Sequence, residues 1–140
     1  MRPIKIYNPH LVSYAPLLKA IKFKGLIVNK EGVVPRIYNE ICIQDKNLRI
    51  RGLNTCITYL DEKYPHPPFY PVEPTKRAVI RMMIDELIKT QDTSAYETNP
   101  FPDHFFAGST PTILDIFLYD LSPQTELWDD FRNRFDNHRR

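Results

Sequence analysis

The chain has 140 residues, 42% of them hydrophobic and 26% charged, with a formal net charge of +2. A chain of that length buries roughly two-thirds of its unfolded surface, in one unit or two small lobes. The mild charge lacks the clustered Lys and Arg of a nucleic-acid binder, since only RFDNHRR at the far end is locally basic, so no direct nucleic-acid contact is expected.

In chain order, the IleLysIleTyr run predicts a strand at about 4 to 7, and Asn8, Pro9 and His10 make a turn. Leu17, Leu18, Ala20 and Ile21 mark one face of a helix ending at Gly25, and LIVN at 26 to 29 reads as a second strand. VVPRIY, EICIQ and LRIRG read as further strands, the last two joined by a hairpin turn at Asp45, Lys46 and Asn47. From Leu53 the period becomes helical, with Leu53, Cys56, Ile57 and Leu60 on one face and Asn54 as the expected N-cap. Five prolines among the sixteen residues 59–74 stop that helix.

Beyond the prolines only helical patterns follow. Ile80, Met83, Ile84, Leu87 and Ile88 share one face, widened by Val79 and Met82. Residues 91–108 read as a polar, turn-rich loop. Thr112 and Asp115 have the spacing of a capping box before an apolar helix, and Leu127, Trp128, Phe131 and Phe135 mark the buried face of a last one. Cys42 and Cys56 sit inside apolar patterns and are expected to be buried, reduced thiols. His10, His104 and His138 show no metal-ligand spacing, and Asp61, Glu62 and Lys63 read as a solvated helix end. No apolar run approaches the ~20 residues of a membrane span. MRPIKIYNPH also lacks the apolar stretch of a signal peptide, so no membrane contact and a cytoplasmic setting are expected.

Four local features resemble the glutathione S-transferase superfamily: a first helix ending in Lys24 and Gly25, a Val34-Pro35 dipeptide in the place of the family's cis-proline, YLDEKYP closing a helix, and GSTPTILDI opening another. The resemblance implies an α/β plus all-α fold: a thioredoxin-like lobe over residues 1–70, then a reduced helical lobe over 71–140. The chain reads as a trimmed member. Between Gly25 and Pro35 there is no room for the family's second helix, and a long middle helix is missing near 97 to 104. Within the superfamily, YLDEKYPHPPFYPVEPTKRAVIR is similar to the stringent starvation protein A family of RNA polymerase-associated regulators.

Glutathione chemistry needs a Tyr, Ser or Cys near the start of the first helix to stabilise or form a thiolate. Counting back from Gly25 puts Leu11 or Val12 at the cysteine position, with Ser13, Tyr14 or Tyr7 as the nearest substitutes. The resemblance also implies an acidic-hydroxyl pair at the start of the third family helix, where it would hold glutathione's amine and carboxylate. Here those positions are Gly52 and Leu53, so no catalytic residue is assigned and no cofactor or metal is expected. A vestigial ligand site would comprise Ser13, Tyr14, Val34 and Pro35.

The stiff segment is the expected partner surface: Tyr64, Pro65, His66, Pro67, Pro68, Phe69 and Tyr70 on a pre-ordered loop. By resemblance its partner is RNA polymerase holoenzyme or its sigma factor, and the chain pairs as a homodimer or with another glutathione-transferase-like protein. The leading reading is a non-catalytic transcription regulator. The alternatives are a glutathione-dependent transferase or thiol reductase, and an oligomerisation scaffold.

Overall fold

A ladder of isoleucines sets the register of one mixed sheet. In the computed structural model, which describes residues 2–97 and 105–138, Ile6 of β1 (Ile4–Tyr7) lies opposite Ile43 of β3 (Cys42–Asp45), which lies opposite Ile50 of β4 (Leu48–Arg51). All three are buried, and a one-residue slip would turn each to the other face of the sheet. β2 (Val28–Lys30) joins the other edge of β1 in parallel, giving the order β2-β1-β3-β4 with both other pairings antiparallel. The parallel pair needs a crossover, which is α1 (Tyr14–Phe23), burying Tyr14, Pro16, Leu17, Ala20, Ile21 and Phe23. The β3–β4 hairpin turns at Lys46, whose φ is +57°, and α2 (Leu53–Lys63) follows, burying Cys56, Ile57 and Leu60.

The chain divides into two compact units, Met1–Pro68 and Phe69–Arg140. The second unit is helical. Its α3 (Pro74–Thr90) starts from Glu73, whose carboxylate accepts from Thr75 N at 3.0 Å and Lys76 N at 2.9 Å, and it buries Ile80, Ile84 and Leu87. α4 (Ile113–Leu121) is buried over its first six residues, and its N-terminus carries the Thr112 and Asp115 capping box, with Thr112 N donating to Asp115 Oδ2 at 2.7 Å. α5 (Glu126–His138) buries Trp128, Phe131 and Phe135. From α5, Arg132 donates to the Tyr119 carbonyl at 3.0 Å and the Ser122 carbonyl at 2.6 Å, capping the end of α4. Among the described residues no strand follows β4, and no helix is long and apolar enough to cross a membrane. A thioredoxin-like sheet unit followed by a helical unit is the fold class the sequence led us to expect.

Four local expectations fail. VVPRIY is not a strand: Pro35–Ile37 forms a single 3₁₀ turn, because its backbone bonds locally and to a side chain rather than to a neighbouring strand. Asn54 is not the N-cap of α2; Gly52 is, with φ +91° and no side-chain cap. Leu127 is 51% exposed, one position off the α5 face that buries Trp128 and Phe131. Pro35 is not cis, the cis peptide among the described residues being His66–Pro67. The missing middle helix expected near 97 to 104 falls almost wholly on residues outside those described, as does His104.

Candidate functional site

Asn8 organises the loops at the C-terminal end of β1. It is fully buried at φ +65°, a left-handed conformation that Asn tolerates better than most residues. Its Nδ2 donates to the Ile37 carbonyl at 2.9 Å and the Glu40 carbonyl at 2.7 Å, while its Oδ1 accepts from Val34 N at 2.8 Å. The Val34 carbonyl in turn accepts from Ile37 N at 3.1 Å. Pro35 has no N–H, so the one backbone N–H of the pair, that of Val34, is committed to Asn8, while the Val34 carbonyl already accepts one bond. An extended ligand at Val34 and Pro35, the role expected of them, would find no backbone N–H left to bond there.

Ser13 and Tyr14 stand at the start of α1, as the sequence placed them. Ser13 is buried and its hydroxyl makes no cap bond. Tyr14 is buried too; burial, and then the Glu31 carboxylate, push its hydroxyl above the ordinary tyrosine range, so it stays protonated. Tyr7 Oη donates to Gln44 Oε1 at 3.2 Å, and the Arg49 guanidinium lies 5.0 Å from the Tyr7 ring centroid. No thiolate is available nearby. Cys42 and Cys56 are free and buried, and burial raises both, Cys56 to about 12. At the expected clamp position, Gly52 adopts φ +91°, where a side chain is strained, so an acidic residue there would need a different backbone.

The proline segment divides into an exposed crest and a buried base. Pro65, His66, Pro67 and Pro68 are exposed. Phe69 and Tyr70 are 0% and 6% exposed, which corrects their expected place on the surface: the strip of aromatics is an anchor into the protein, not a display. Tyr70 lies under two guanidiniums of α3, Arg81 at 4.9 Å and Arg77 at 5.8 Å from its ring centroid. Tyr64 is half-buried, and its hydroxyl donates to Asp45 Oδ2 at 2.7 Å beside Tyr59, which donates to the same oxygen at 2.6 Å. Burial, then the Asp45 bond, push the Tyr64 hydroxyl up to about 12.

Lys24 braces the crest from within the first unit. Its ammonium donates to Asp61 Oδ1 and to the Pro67 carbonyl, each at 2.7 Å, and its side chain is 0% exposed. Burial pulls the ammonium below the ordinary lysine range and the bond to Asp61 opposes that. Asp61 therefore does not belong to a solvated face, although Glu62 and Lys63 do. Neither Asn8 nor Lys24 stood out as a site residue in the sequence. Asn8 carried a weak signal in its Asn-Pro turn, whereas Lys24 looked like an ordinary cation at a helix end. Among the described residues no group of three His, Cys, Asp or Glu side chains is placed to hold a metal ion.

Solved structures with the same arrangement decide the fold. The chain superposes on a glutathione transferase homolog from Burkholderia, solved with bound glutathione, with a TM-score of 0.68 and 17% identity over 96% of this chain and 91% of that one. The fold is that of the glutathione transferases. Maleylacetoacetate isomerase from Anaeromyxobacter dehalogenans, with glutathione in its active site, matches at a TM-score of 0.68 and 14% identity over 96% of this chain and 89% of that one. FzlA from C. crescentus matches at 0.74 and 12% identity over 98% and 88%. No protein-family model and no curated protein sequence matches. At these identities the likeness establishes the glutathione transferase fold and nothing finer.

Proposed function

We propose that this chain works by association rather than turnover, as a non-catalytic glutathione-transferase-fold regulator that docks on RNA polymerase holoenzyme or its sigma factor. The observation that carries the reading is the crest at residues 65–68: three prolines and His66, exposed on a backbone that Lys24 holds at the Pro67 carbonyl. A loop fixed before binding loses less entropy when a partner covers it. The resemblance of YLDEKYPHPPFYPVEP to the stringent starvation family supplies the kind of partner, a cytoplasmic setting, and pairing with a second glutathione-transferase-like chain. Because Phe69 and Tyr70 are buried and Tyr64 is bonded to Asp45, the docking surface is narrower than the sequence motif and centres on His66.

The competing reading is a glutathione-dependent transferase or thiol reductase, favoured by solved structures of the same fold that hold glutathione. Against it stand the committed N–H of Val34, the positive φ at Gly52 where the clamp needs an acidic residue, and the buried thiols.

The test is association with RNA polymerase holoenzyme, measured beside thermal stability for the wild type, His66→Ala and Pro68→Ala. A central anchor is worth about 2 kcal/mol or more, so His66→Ala should weaken binding at least ~30-fold. Its stability should move by less than ~0.5 kcal/mol, as for other exposed positions. Unchanged binding by both folded variants, or no binding by the wild type, contradicts the proposal.

A further inference from the structure

The sheet of the first unit ends on an open strand. In the order β2-β1-β3-β4, β4 has β3 on one side and, among the described residues, no strand on the other. One bond fixes which of its backbone groups point outward: Gly52 N donates to the Ile41 carbonyl at 2.9 Å, which makes Ile41 and Gly52 a hydrogen-bonded pair. Bonded and unbonded pairs alternate along an antiparallel ladder. Ile50 therefore bonds Ile43, while Arg49, opposite Gln44, and Arg51, opposite Cys42, turn their N–H and carbonyl groups away from β3. The turn at Lys46 and Asn47 gives the same phase, because a two-residue turn closes on a bonded pair, here Asp45 and Leu48. No other backbone partner takes up the outward groups of Arg49 and Arg51 among the described residues.

Successive residues of a strand point to opposite faces, so Arg49 and Arg51 share one face and Leu48 and Ile50 the other. Both arginines and Leu48 are exposed, whereas Ile50 is buried. Arg49 is steadied over the Tyr7 ring, and its Nε donates to Gln44 Oε1 at 3.0 Å, which leaves its two terminal nitrogens unbonded among the described residues. Arg51 Nε stands 3.7 Å from Glu40 Oε2 with both side chains exposed, and a pair of that kind contributes little. An open edge invites pairing with other chains, and charge is a common guard against it. Here the guard also selects. A second copy laid antiparallel on β4 would set arginine opposite arginine, which opposes pairing, while a strand of the opposite charge is favoured.

We propose that the outer edge of β4 receives an extended acidic segment of a partner protein, added antiparallel as a further strand with carboxylates opposite Arg49 and Arg51. The N–H and carbonyl of each arginine supply the backbone bonds, as in other cases of strand addition. The geometry also prescribes the pattern of the segment. Partner residues opposite Arg49 and Arg51 bond through their backbone and carry their side chains on the arginine face, so they are the acidic ones. The residue between them lies on the other face beside exposed Leu48, where an apolar side chain fits. This edge does not rest on the docking crest, and its test succeeds or fails separately.

The probe is a blocked peptide alternating glutamate and valine, titrated into the ¹⁵N-labelled protein while amide hydrogen exchange is read by NMR. Saturating peptide should slow the Arg49 and Arg51 amides roughly tenfold or more, while the Ile50 amide, already bonded to β3, changes little. The same peptide with lysine for glutamate should not bind. Methylating the glutamate nitrogens, which face β4, should abolish binding, whereas methylating the valine nitrogens, which face away, should leave most of it. Arg49→Gln combined with Arg51→Gln should weaken the peptide roughly tenfold, the loss of two opposite-charge pairs across strands. If that variant fails to fold, exchange in the wild type and the methylated peptides decide. The proposal is overturned by unslowed exchange at Arg49 and Arg51, by equal binding of the lysine peptide, or by equal binding of the peptide methylated on glutamate, which would mean ion pairing without a strand.

Discussion

Asp115 shows how much one side chain can be asked to do at a helix start. It is fully buried and accepts from Thr112 N at 2.7 Å, Thr112 Oγ1 at 3.1 Å and Phe106 N at 3.2 Å, tying the chain before α4 to its first turn. Burial raises its carboxyl from 3.8 to about 6, with those hydrogen bonds opposing. A carboxyl whose folded value lies above its unfolded one binds more protons folded than unfolded between the two values, so its contribution to stability is complete below about pH 4 and falls as pH rises toward 6. The wild type should therefore gain stability over Asp115→Asn as the buffer is taken from pH 6.5 to 4, by an amount on the order of 3 kcal/mol, the free energy of a roughly hundredfold difference in proton affinity between the folded and unfolded chain. Denaturant unfolding of both proteins across that range checks it; a constant difference would mean the carboxyl titrates normally. The capping box itself was legible, because Thr and Asp three apart before an apolar run have one common use. The left-handed Asn8 was not, since what it does depends on carbonyls 29 and 32 residues away.

At the scale of elements, the Lys24 bridge joins the end of α1 to α2 and to the proline crest, three pieces that are far apart in sequence. Lys24→Met removes the cation and leaves the Asp61 carboxylate, 16% exposed, without it. Breaking a buried pair from one side costs about 3 kcal/mol or more, whereas replacing both partners by apolar groups is often nearly neutral. Lys24→Met should be markedly destabilised and the Lys24→Met, Asp61→Leu double variant should recover most of the loss, as read by a double-mutant cycle. An equal loss in the double variant would show that the Pro67 carbonyl, not Asp61, is the partner that matters. The hairpin and α2 were readable from alternation, turn residues and period. VVPRIY was not, because its β-rich composition is overridden by the Asn8 side chain, which takes the Val34 N–H that a strand partner would need.

For the whole molecule, the order of sheet unit and helical unit followed from the change of period at the prolines, and the superposed structures carry the same fold. The candidate site was legible in part. Composition revealed a stiff aromatic segment, but not that residues 65–68 face solvent while Phe69 and Tyr70 turn inward, since burial depends on partners distant in the chain. At the loops where the sequence put a vestigial ligand site, the Val34 N–H is taken by Asn8, a bond that spans 26 residues and so left no local signal. The central proposal is that this chain serves association and does not carry out glutathione chemistry. Calorimetric titration of the wild-type protein with millimolar glutathione, run beside a thiol-transfer assay, tests it most directly. The account predicts no saturable heat and no turnover above the uncatalysed rate; saturable binding with turnover that disappears in Ser13→Ala or Tyr14→Phe would contradict it.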